Sequence, residues 1–241
     1  MPMDYAGADT QGAIGYMFQR ALRNEMHKRN MKRSPVTAVT QIMVDASDPE
    51  LSNPSNPIGS YMTEEFAKKH AKIQGWTICE EGKGKWRRLV PSPRPVSIVE
   101  IDSIKALVDK NFLVIACGGG GIPVSSDETG ELRGVEAVID KDYVSGLLAS
   151  NLAAELLVIA TAVEKVSLGF GTTQQTWVDK MLVSEARRYL GAGAFPRGSM
   201  GPKIEAFLEF LGAGGRASLI TNPPNLGRAV AGHTGTWIYP D

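Results

Sequence analysis

An unbroken run of apolar residues, Phe112 to Cys117, ends directly in four consecutive glycines, Gly118 to Gly121. Apolar runs without polar alternation are typical of strands covered on both faces, as in parallel sheets flanked by helices. In open α/β sheets, ligands bind beyond the carboxyl ends of such strands. Four glycines allow positive φ angles and a close approach to the backbone, at an entropic cost that a plain turn does not require. The run therefore predicts a ligand-binding turn rather than a merely flexible one.

Stretches with helical spacing of apolar residues alternate with further strand-like runs along the chain. The clearest helix limits are those of residues 64–74, where Thr63 can cap the start and Gly75 can end the helix. This alternation indicates an α/β sandwich with a largely parallel sheet. In chain order, the predicted elements are a helix whose apolar face is Ile14, Met17, Phe18, Ala21 and Leu22, a strand at 36–44, a loop at 45–61, the helix at 64–74, a β-hairpin of 76–80 with 86–90, a helix at 102–110, the strand at 112–117, a helix built on Val144, Leu147, Leu148 and Leu152, a strand at 156–161, helices at 184–190 and 203–211, and strands at 217–221 and 236–239.

A second glycine-containing segment, Gly198 to Lys203, runs into an amphipathic helix. The free N–H groups and the positive dipole end of a helix start attract anions. Pro202 suits the first helical position, where a missing N–H costs nothing, and Lys203 adds a full positive charge. Taken alone, this is equally an ordinary helix entrance with a surface lysine. Together with the glycine run and the charged segment Asp140 to Asp142, it predicts a phosphate site that is neither a Walker A loop nor a G-x-G-x-x-G fingerprint.

Composition excludes several classes of function. The 26 basic and 26 acidic residues balance, which gives no electrostatic case for binding nucleic acid or an anionic membrane. No apolar run approaches the length of a membrane span, and the polar opening is not a secretory signal. The two cysteines, Cys79 and Cys117, lie far apart and are expected to be free thiols in a reducing cytosol. His27, His70 and His233 have no metal-ligand spacing, so we expect no structural metal and no Cys-His nucleophile.

Long segments of the sequence resemble the hallmark segments of the carbamate kinases, enzymes of the amino acid kinase fold. The resemblance rests on Gly118 to Pro123, on Gly134 to Asp142 and on Gly198 to Lys203. Shorter pieces follow the same family pattern in order, so the resemblance covers essentially the whole chain. These pieces are 7–16, 40–41, 44–45, 48–49, 53–54, 57–59 and 86–95.

The resemblance implies a fold and a division into lobes. The fold is a three-layer α/β sandwich with a largely parallel central sheet and a small protruding subdomain at about 45–92. Residues 1–137 would form the lobe for the acyl substrate, and residues 138–241 the nucleotide-binding lobe. Family members usually dimerise, so a homodimer is expected, in the cytoplasm and with neither nucleic acid nor membrane as a partner.

The resemblance also implies an activity and a set of site residues. The family interconverts ATP plus carbamate with ADP plus carbamoyl phosphate and requires Mg²⁺, with no metal site built from protein side chains expected here. Lys141 and Lys203 would be the cations that flank the transferred phosphoryl group, and Asp142 would orient one of them. The residues bordering the acyl substrate would be Gly118, Gly119 and Gly120, and those at the nucleotide would be Ala162, Val163, Met200, Gly201 and Lys203.

Departures from the family pattern lead to further expectations. Family members begin with a strand and a Gly-Gly-Asn loop, then a strand and a Gly-Asn-Gly-Pro loop, and neither pair matches this sequence. Met1 therefore resembles an internal position, and we expect an incomplete fold and weak or absent activity of this chain alone. Asn56 stands where the family has a phosphate-contacting lysine, and Ala162 replaces an aspartate near the nucleotide.

Two alternatives to a carbamate kinase are compatible with these departures. The first is a kinase of the same fold that phosphorylates another small acid, which a panel of acids assayed with ATP would reveal. The second is a non-catalytic nucleotide-binding or interaction protein that has lost the acyl site, which would bind nucleotide without turnover.

Overall fold

The computed structural model describes residues 1–196 and 198–241. Its contacts divide the chain into two compact units, Met1–Lys141 and Asp142–Asp241, called unit 1 and unit 2 below. No helix in the described residues is both long enough and apolar enough to cross a bilayer.

Unit 1 holds three complete helices and nine strands in its described residues. They are α1 (Met3–Lys28), β1 (Pro35–Thr37), β2 (Gln41–Val44), β3 (Asn56–Met62), α2 (Glu64–Gln74), β4 (Thr77–Glu80), β5 (Trp86–Val90), β6 (Pro95–Ile98), α3 (Ile101–Asp109), β7 (Leu113–Ile115), β8 (Ile122–Ser126) and β9 (Leu132–Gly134). Two short 3-10 helices lie at Pro49–Leu51 and Gly118–Gly120.

The sheets of unit 1 combine parallel centres with antiparallel edges. The largest has the order β6-β2-β8-β9, in which β2 and β8 are parallel and the outer strands are antiparallel. Strands β1 and β7 form a separate parallel pair. Strands β3, β5 and β4 form an antiparallel sheet beside α2. The predicted hairpin is therefore present, and α2 begins after Thr63 and ends at the left-handed Gly75 as predicted.

Three predictions for unit 1 are wrong in detail. The strand expected at 36–44 is split into β1 and β2, because the Gln11 side chain binds the backbone of Thr40 and interrupts the strand there. The loop expected at 45–61 contains β3, which pairs with β5 through a register shift between Ile58 and Met62. Strand β7 is only half-buried, because in the described residues β1 is its one sheet partner.

Helix α1 buries Gln11, Gly15 and Met26 and leaves most of its predicted apolar face exposed. We expected Ile14, Met17 and Phe18 to be buried, yet Phe18 is 51% exposed and the other two are also exposed. The buried positions include Gln11 and Gly15. A side chain at Gly15 would overlap Thr37 of β1, so the helix backbone approaches that strand closely. This close approach turns the apolar face outward.

Unit 2 is built around a mixed sheet with the order β10-β14-β15-β13. Helix α6 packs on the parallel pair of β10 and β14, and its buried residues include Ile204, Phe207, Phe210 and Leu211. The elements are α4 (Lys141–Asn151), which starts at the last residue of unit 1, β10 (Leu156–Ala160), β11 (Val166–Leu168), β12 (Thr176–Val178), β13 (Lys180–Leu182), α5 (Val183–Gly191), α6 (Met200–Gly212), β14 (Ala217–Thr221), α7 (Leu226–Val230) and β15 (Thr236–Tyr239), with a 3-10 helix at Pro223–Asn225.

The predicted α/β class is confirmed, with parallel strand pairs in both units. The predicted strands at 156–161, 217–221 and 236–239 correspond to β10, β14 and β15. The helix expected from Lys203 starts earlier, at Met200, so Pro202 is its third residue and not its first. Proline is tolerated there because the first four N–H groups of a helix have no partner within it.

Candidate functional site

The glycine turn after β7 lies within unit 1 and is more tightly constrained than the sequence predicts. Gly119, Gly120 and Gly121 all have positive φ angles. Gly120 is buried, and a Cβ atom there would overlap the carbonyl oxygen of Ile139 and lie 3.3 Å from the Lys141 nitrogen. Gly120 therefore also has a structural reason to be glycine, because the turn packs directly against the peptide that leads into α4.

The first part of the turn is open. Gly118 and Gly119 are exposed and border an apolar cavity of about 340 Å³, together with Ile14, Phe18 and Ile115. A Cβ atom at Gly119 would meet nothing within 4 Å. Of the three predicted substrate residues, two thus present backbone to open space and Gly120 serves to pack the turn.

Cys117, which begins the turn, adopts a left-handed conformation with φ of 56°. Its amide donates a hydrogen bond of 3.0 Å to the Thr40 hydroxyl. Burial raises the pKa of the Cys117 thiol to about 12, an effect to which the nearby Glu100 carboxylate adds and which the hydrogen bond with Thr40 reduces. The thiol is therefore protonated at neutral pH, which agrees with the expectation that it is not a nucleophile.

This raised pKa makes stability depend on alkaline pH. The unfolded chain releases the Cys117 proton near its ordinary pKa of 9.0, whereas the folded chain keeps it to about 12. Between these values the folded state binds more protons, so the free energy of unfolding falls as pH rises, by at most about 1.4 kcal/mol per pH unit. Urea unfolding at pH 8, 9 and 10 should show a steeper loss for the native chain than for Cys117→Ala.

The matched control for that measurement is Cys79→Ala, since Cys79 is the second thiol of the chain and is less buried. Burial also raises the pKa of the Cys79 thiol, but the pH slope of the Cys79→Ala variant should stay close to that of the native chain. Equal slopes for the native chain and Cys117→Ala would contradict the assignment.

The first residues of α4 supply two of the predicted catalytic side chains. Lys141 is the first residue of the helix and is exposed, and Asp142 is the second and only 4% exposed. A buried carboxylate in the first turn of a helix interacts favourably with the positive end of the helix dipole.

Lys203 lies in the first turn of α6 and forms a buried ion pair with Asp142. Its Nζ donates a hydrogen bond of 2.7 Å to Asp142 Oδ2 within unit 2, and Lys203 itself is only 9% exposed. Taking two charges out of water costs several kcal/mol per ion unless pairing offsets it. Lys203 is therefore not the surface lysine of the simpler interpretation, because surface lysines keep their ammonium groups in water.

A cavity of about 170 Å³ opens beside the start of α6 within unit 2. Four of the five predicted nucleotide residues line it, namely Ala162, Val163, Met200 and Lys203. The fifth, Gly201, lines a neighbouring cavity with Tyr143 and Glu205, and its N–H donates a hydrogen bond of 2.9 Å to the carbonyl oxygen of Pro196.

Sequence reasoning missed the remaining residues of this cavity. They are Thr161, Lys165, Ser167, Phe170, Pro196 and Ser199. Lys165 forms an ion pair of 2.5 Å with Asp179, and Phe170 is 64% exposed. Phe170 lies between two glycines, Gly169 and Gly171. A large aromatic residue in that setting is a sequence signal that could have identified Phe170 as an exposed candidate for ligand contact.

The cavity combines an apolar wall with cationic groups. Val163, Met200 and Phe170 suit the flat face of an aromatic base, and the start of α6 with Lys203 suits an anion. Asn56, where the family has a lysine, lies in unit 1 on β3 opposite Val90. No group of three or more His, Cys, Asp or Glu residues that could hold a metal ion occurs in the described part of the chain.

Comparison with known proteins gives concordant matches. A model described as the amino acid kinase family matches residues 26–222. A carbamate kinase of Pyrococcus horikoshii is 46% identical over 99% of this chain and 76% of its own length. The carbamate kinase-like protein YqeA of Escherichia coli is 46% identical over the same shares. The solved structure of the Giardia lamblia carbamate kinase bound to AMP-PNP matches with a TM-score of 0.91 and 40% identity over 100% of this chain and 76% of that one.

Proposed function

The chain belongs to the amino acid kinase family and, within it, to the carbamate kinases, and from this premise we propose that it transfers a phosphoryl group between ATP and carbamate. The products are ADP and carbamoyl phosphate, and the reaction is reversible. The observation that carries the proposal is the buried pair of Lys203 and Asp142 beside the cavity at the start of α6.

Phosphoryl transfer requires the protein mainly to position the reactants and to supply positive charge. A carbamate oxygen forms the new bond to the γ-phosphorus while the bond from phosphorus to the bridging oxygen breaks, and ADP keeps the electron pair. Charge is spread over the oxygens of the transferred group, so cations and backbone N–H groups stabilise it. We assign the flanking cations to Lys203 and Lys141. Asp142 fixes the position of the Lys203 ammonium group.

The nucleotide is proposed to bind in the 170 Å³ cavity, with its base against Val163, Met200 and Phe170 and its phosphates at the start of α6. The Giardia lamblia enzyme, which is bound to AMP-PNP in its solved structure, supports ATP as the nucleotide. Residues 138–241 would then be the nucleotide lobe. Mg²⁺ usually binds through substrate phosphates with one or two carboxylates, so we propose that it enters with ATP as part of the substrate.

The carbamate is proposed to bind at the backbone of Gly118 and Gly119, in the lobe formed by residues 1–137. Support comes from the exposure of these two glycines and from the packing of Gly120 against Ile139 at the entry to α4. Backbone N–H groups in such a turn form a concavity that binds anions.

We also propose that the chain forms a homodimer and acts in the cytoplasm. Met17, an exposed apolar residue of α1 that does not line the cavity at Gly118 and Gly119, offers a contact for a second copy. Cys79 and Cys117 are free thiols, which is the usual state of cysteines in a reducing compartment.

A second candidate is a kinase of the same fold that acts on another small acid. Asn56 leaves room for it, because this residue of unit 1 stands where the family pattern has a phosphate-contacting lysine. A panel of small carboxylic acids assayed with ATP separates the two candidates, and carbamate should give the highest kcat/KM.

Filling the proposed nucleotide cavity should weaken nucleotide binding. Ala162→Trp should weaken ADP binding by at least about tenfold, a loss of about 1.4 kcal/mol, because the indole would occupy the cavity. Ala213→Trp is the matched control, since Ala213 is an exposed alanine of the same unit at the end of α6. Calorimetry with ADP, and ATP formation from ADP and carbamoyl phosphate, provide the two measurements. Equal affinity of both variants for ADP would contradict the site.

A further inference from the structure

Gln11 is a polar side chain buried inside unit 1 and is bound entirely to one other residue. It is 5% exposed, and both ends of its amide contact the backbone of Thr40. Oε1 accepts a hydrogen bond of 2.8 Å from the Thr40 N–H, and Nε2 donates one of 3.2 Å to the Thr40 carbonyl oxygen. The side chain thus gives the Thr40 N–H, which lies between β1 and β2, a hydrogen-bond acceptor.

Thr40 in turn holds both ends of the glycine turn. Its hydroxyl accepts a hydrogen bond of 3.0 Å from the N–H of Cys117, which begins the turn, and donates one of 2.9 Å to the carbonyl oxygen of Ala38. Its carbonyl oxygen also accepts a hydrogen bond of 2.9 Å from the N–H of Ile122, which follows the turn. Thr40 has no exposed surface.

We propose that Gln11 and Thr40 are positioning residues that fix the glycine turn in the conformation that binds the acyl substrate. The inference rests on the proposed function and extends it from the turn to the residues behind it. Thr40 does not line the cavity at Gly118 and Gly119, whereas Gln11 does, so the test of a positioning role rests on Thr40. Gln11 orients Thr40, and Thr40 orients Cys117 and Ile122.

The buried hydrogen bonds between Gln11 and Thr40 are more typical of a functional site than of a hydrophobic core. A buried polar group is costly unless its hydrogen bonds are made, and an apolar residue at position 11 would leave the buried Thr40 N–H without its partner. Helix α1 instead buries Gln11 while Ile14 and Phe18 on the same helix remain exposed. Cys117 also needs to be held, because a left-handed conformation is unfavourable for a residue with a Cβ atom.

The substitution Thr40→Val tests the proposal, because valine keeps the shape of threonine and removes the hydroxyl group. We expect the KM for carbamoyl phosphate to rise at least about tenfold, with the KM for ADP and the dissociation constant of ADP within about twofold of the native values. Thr40→Ser, which keeps the hydroxyl, should restore the native KM. Gln11→Leu should resemble Thr40→Val. An equal effect on both substrates, or no rescue by serine, would overturn the proposal.

The positioning role can also be tested without catalytic turnover, so that its outcome does not depend on the proposed reaction. In a Cys79→Ser background, Cys117 is the remaining thiol of the chain, so its rate of reaction with iodoacetamide reports how firmly the turn is held. Carbamoyl phosphate should slow this reaction in the parent and in Thr40→Ser, but not in Thr40→Val. If the native chain forms no ATP yet shows this pattern, the proposed reaction fails and the positioning role stands. Equal protection in all three proteins would refute the positioning role.

Discussion

Replacing Lys203 with methionine should lower kcat for ATP formation by at least about 10²–10³, the usual cost of removing one group that stabilises charge in the transition state. The same change should destabilise the fold by about 3–5 kcal/mol, because it breaks the buried ion pair between Lys203 and Asp142 by removing one of its partners. Steady-state kinetics and urea unfolding measure the two effects independently.

A second substitution separates catalysis from folding. In the double variant Lys203→Met with Asp142→Leu, both charges of the buried ion pair are removed together, so most of the lost stability should return. The catalytic loss should remain in full, because the cation is still missing. Lys203→Arg retains the charge and should keep part of the activity. If the double variant regains both stability and turnover, Lys203 has no role in the reaction.

Gly120→Ala should destabilise unit 1 by at least about 3 kcal/mol. The new methyl group would overlap the carbonyl oxygen of Ile139, and alanine disfavours the φ of 102° found at this position. The loss should appear as a lower urea midpoint with an unchanged m-value, together with weaker binding of carbamoyl phosphate.

Gly119→Ala is the matched control for Gly120→Ala. The neighbouring glycine also has a positive φ, of 69°, but a Cβ atom there meets nothing within 4 Å. Its cost should be limited to about 1–2 kcal/mol, the price of the left-handed conformation alone. If the two variants lose the same stability, backbone conformation and not the contact with Ile139 explains the need for glycine at position 120.

Local signals in the sequence predicted some elements well. Helix α2 has a capping threonine at Thr63 and a left-handed glycine at Gly75, and it lies at the predicted residues. Strand β15 also matches its prediction. In both cases the information lies in residues that are close together in the chain.

Predictions failed where distant contacts decide the structure. Nothing near Thr40 in the sequence shows that Gln11, 29 positions earlier, divides the predicted strand there. The outward apolar face of α1 follows from the packing of Gly15 on Thr37, which periodicity alone cannot reveal. Apolar spacing predicts the buried face of a helix only where no other face of that helix can pack more closely on its neighbour.

The same distinction between local signals and distant contacts applies to the residues of the candidate site. The glycine-containing helix start pointed to Lys203 as a candidate, whereas the resemblance to the carbamate kinases supplied Asp142, Ala162, Val163 and Met200, whose roles stay predictions. Lys165 and Phe170 were missed because they lie outside such motifs and reach the cavity through tertiary structure. The ion pair between Lys203 and Asp142 joins residues 61 positions apart, so spacing gave no information about it.

Because β10 pairs with the much later strand β14, this part of the sheet cannot form until β14 has been synthesised. Leu156 pairs with Ala217 about 60 positions later, so the first strand leaves the ribosome without its partner. At translation rates of about 5–20 residues per second, the wait is roughly 3–12 s. During that time the apolar strand β10 lacks its parallel partner β14, and unpaired strands of this kind are prone to association.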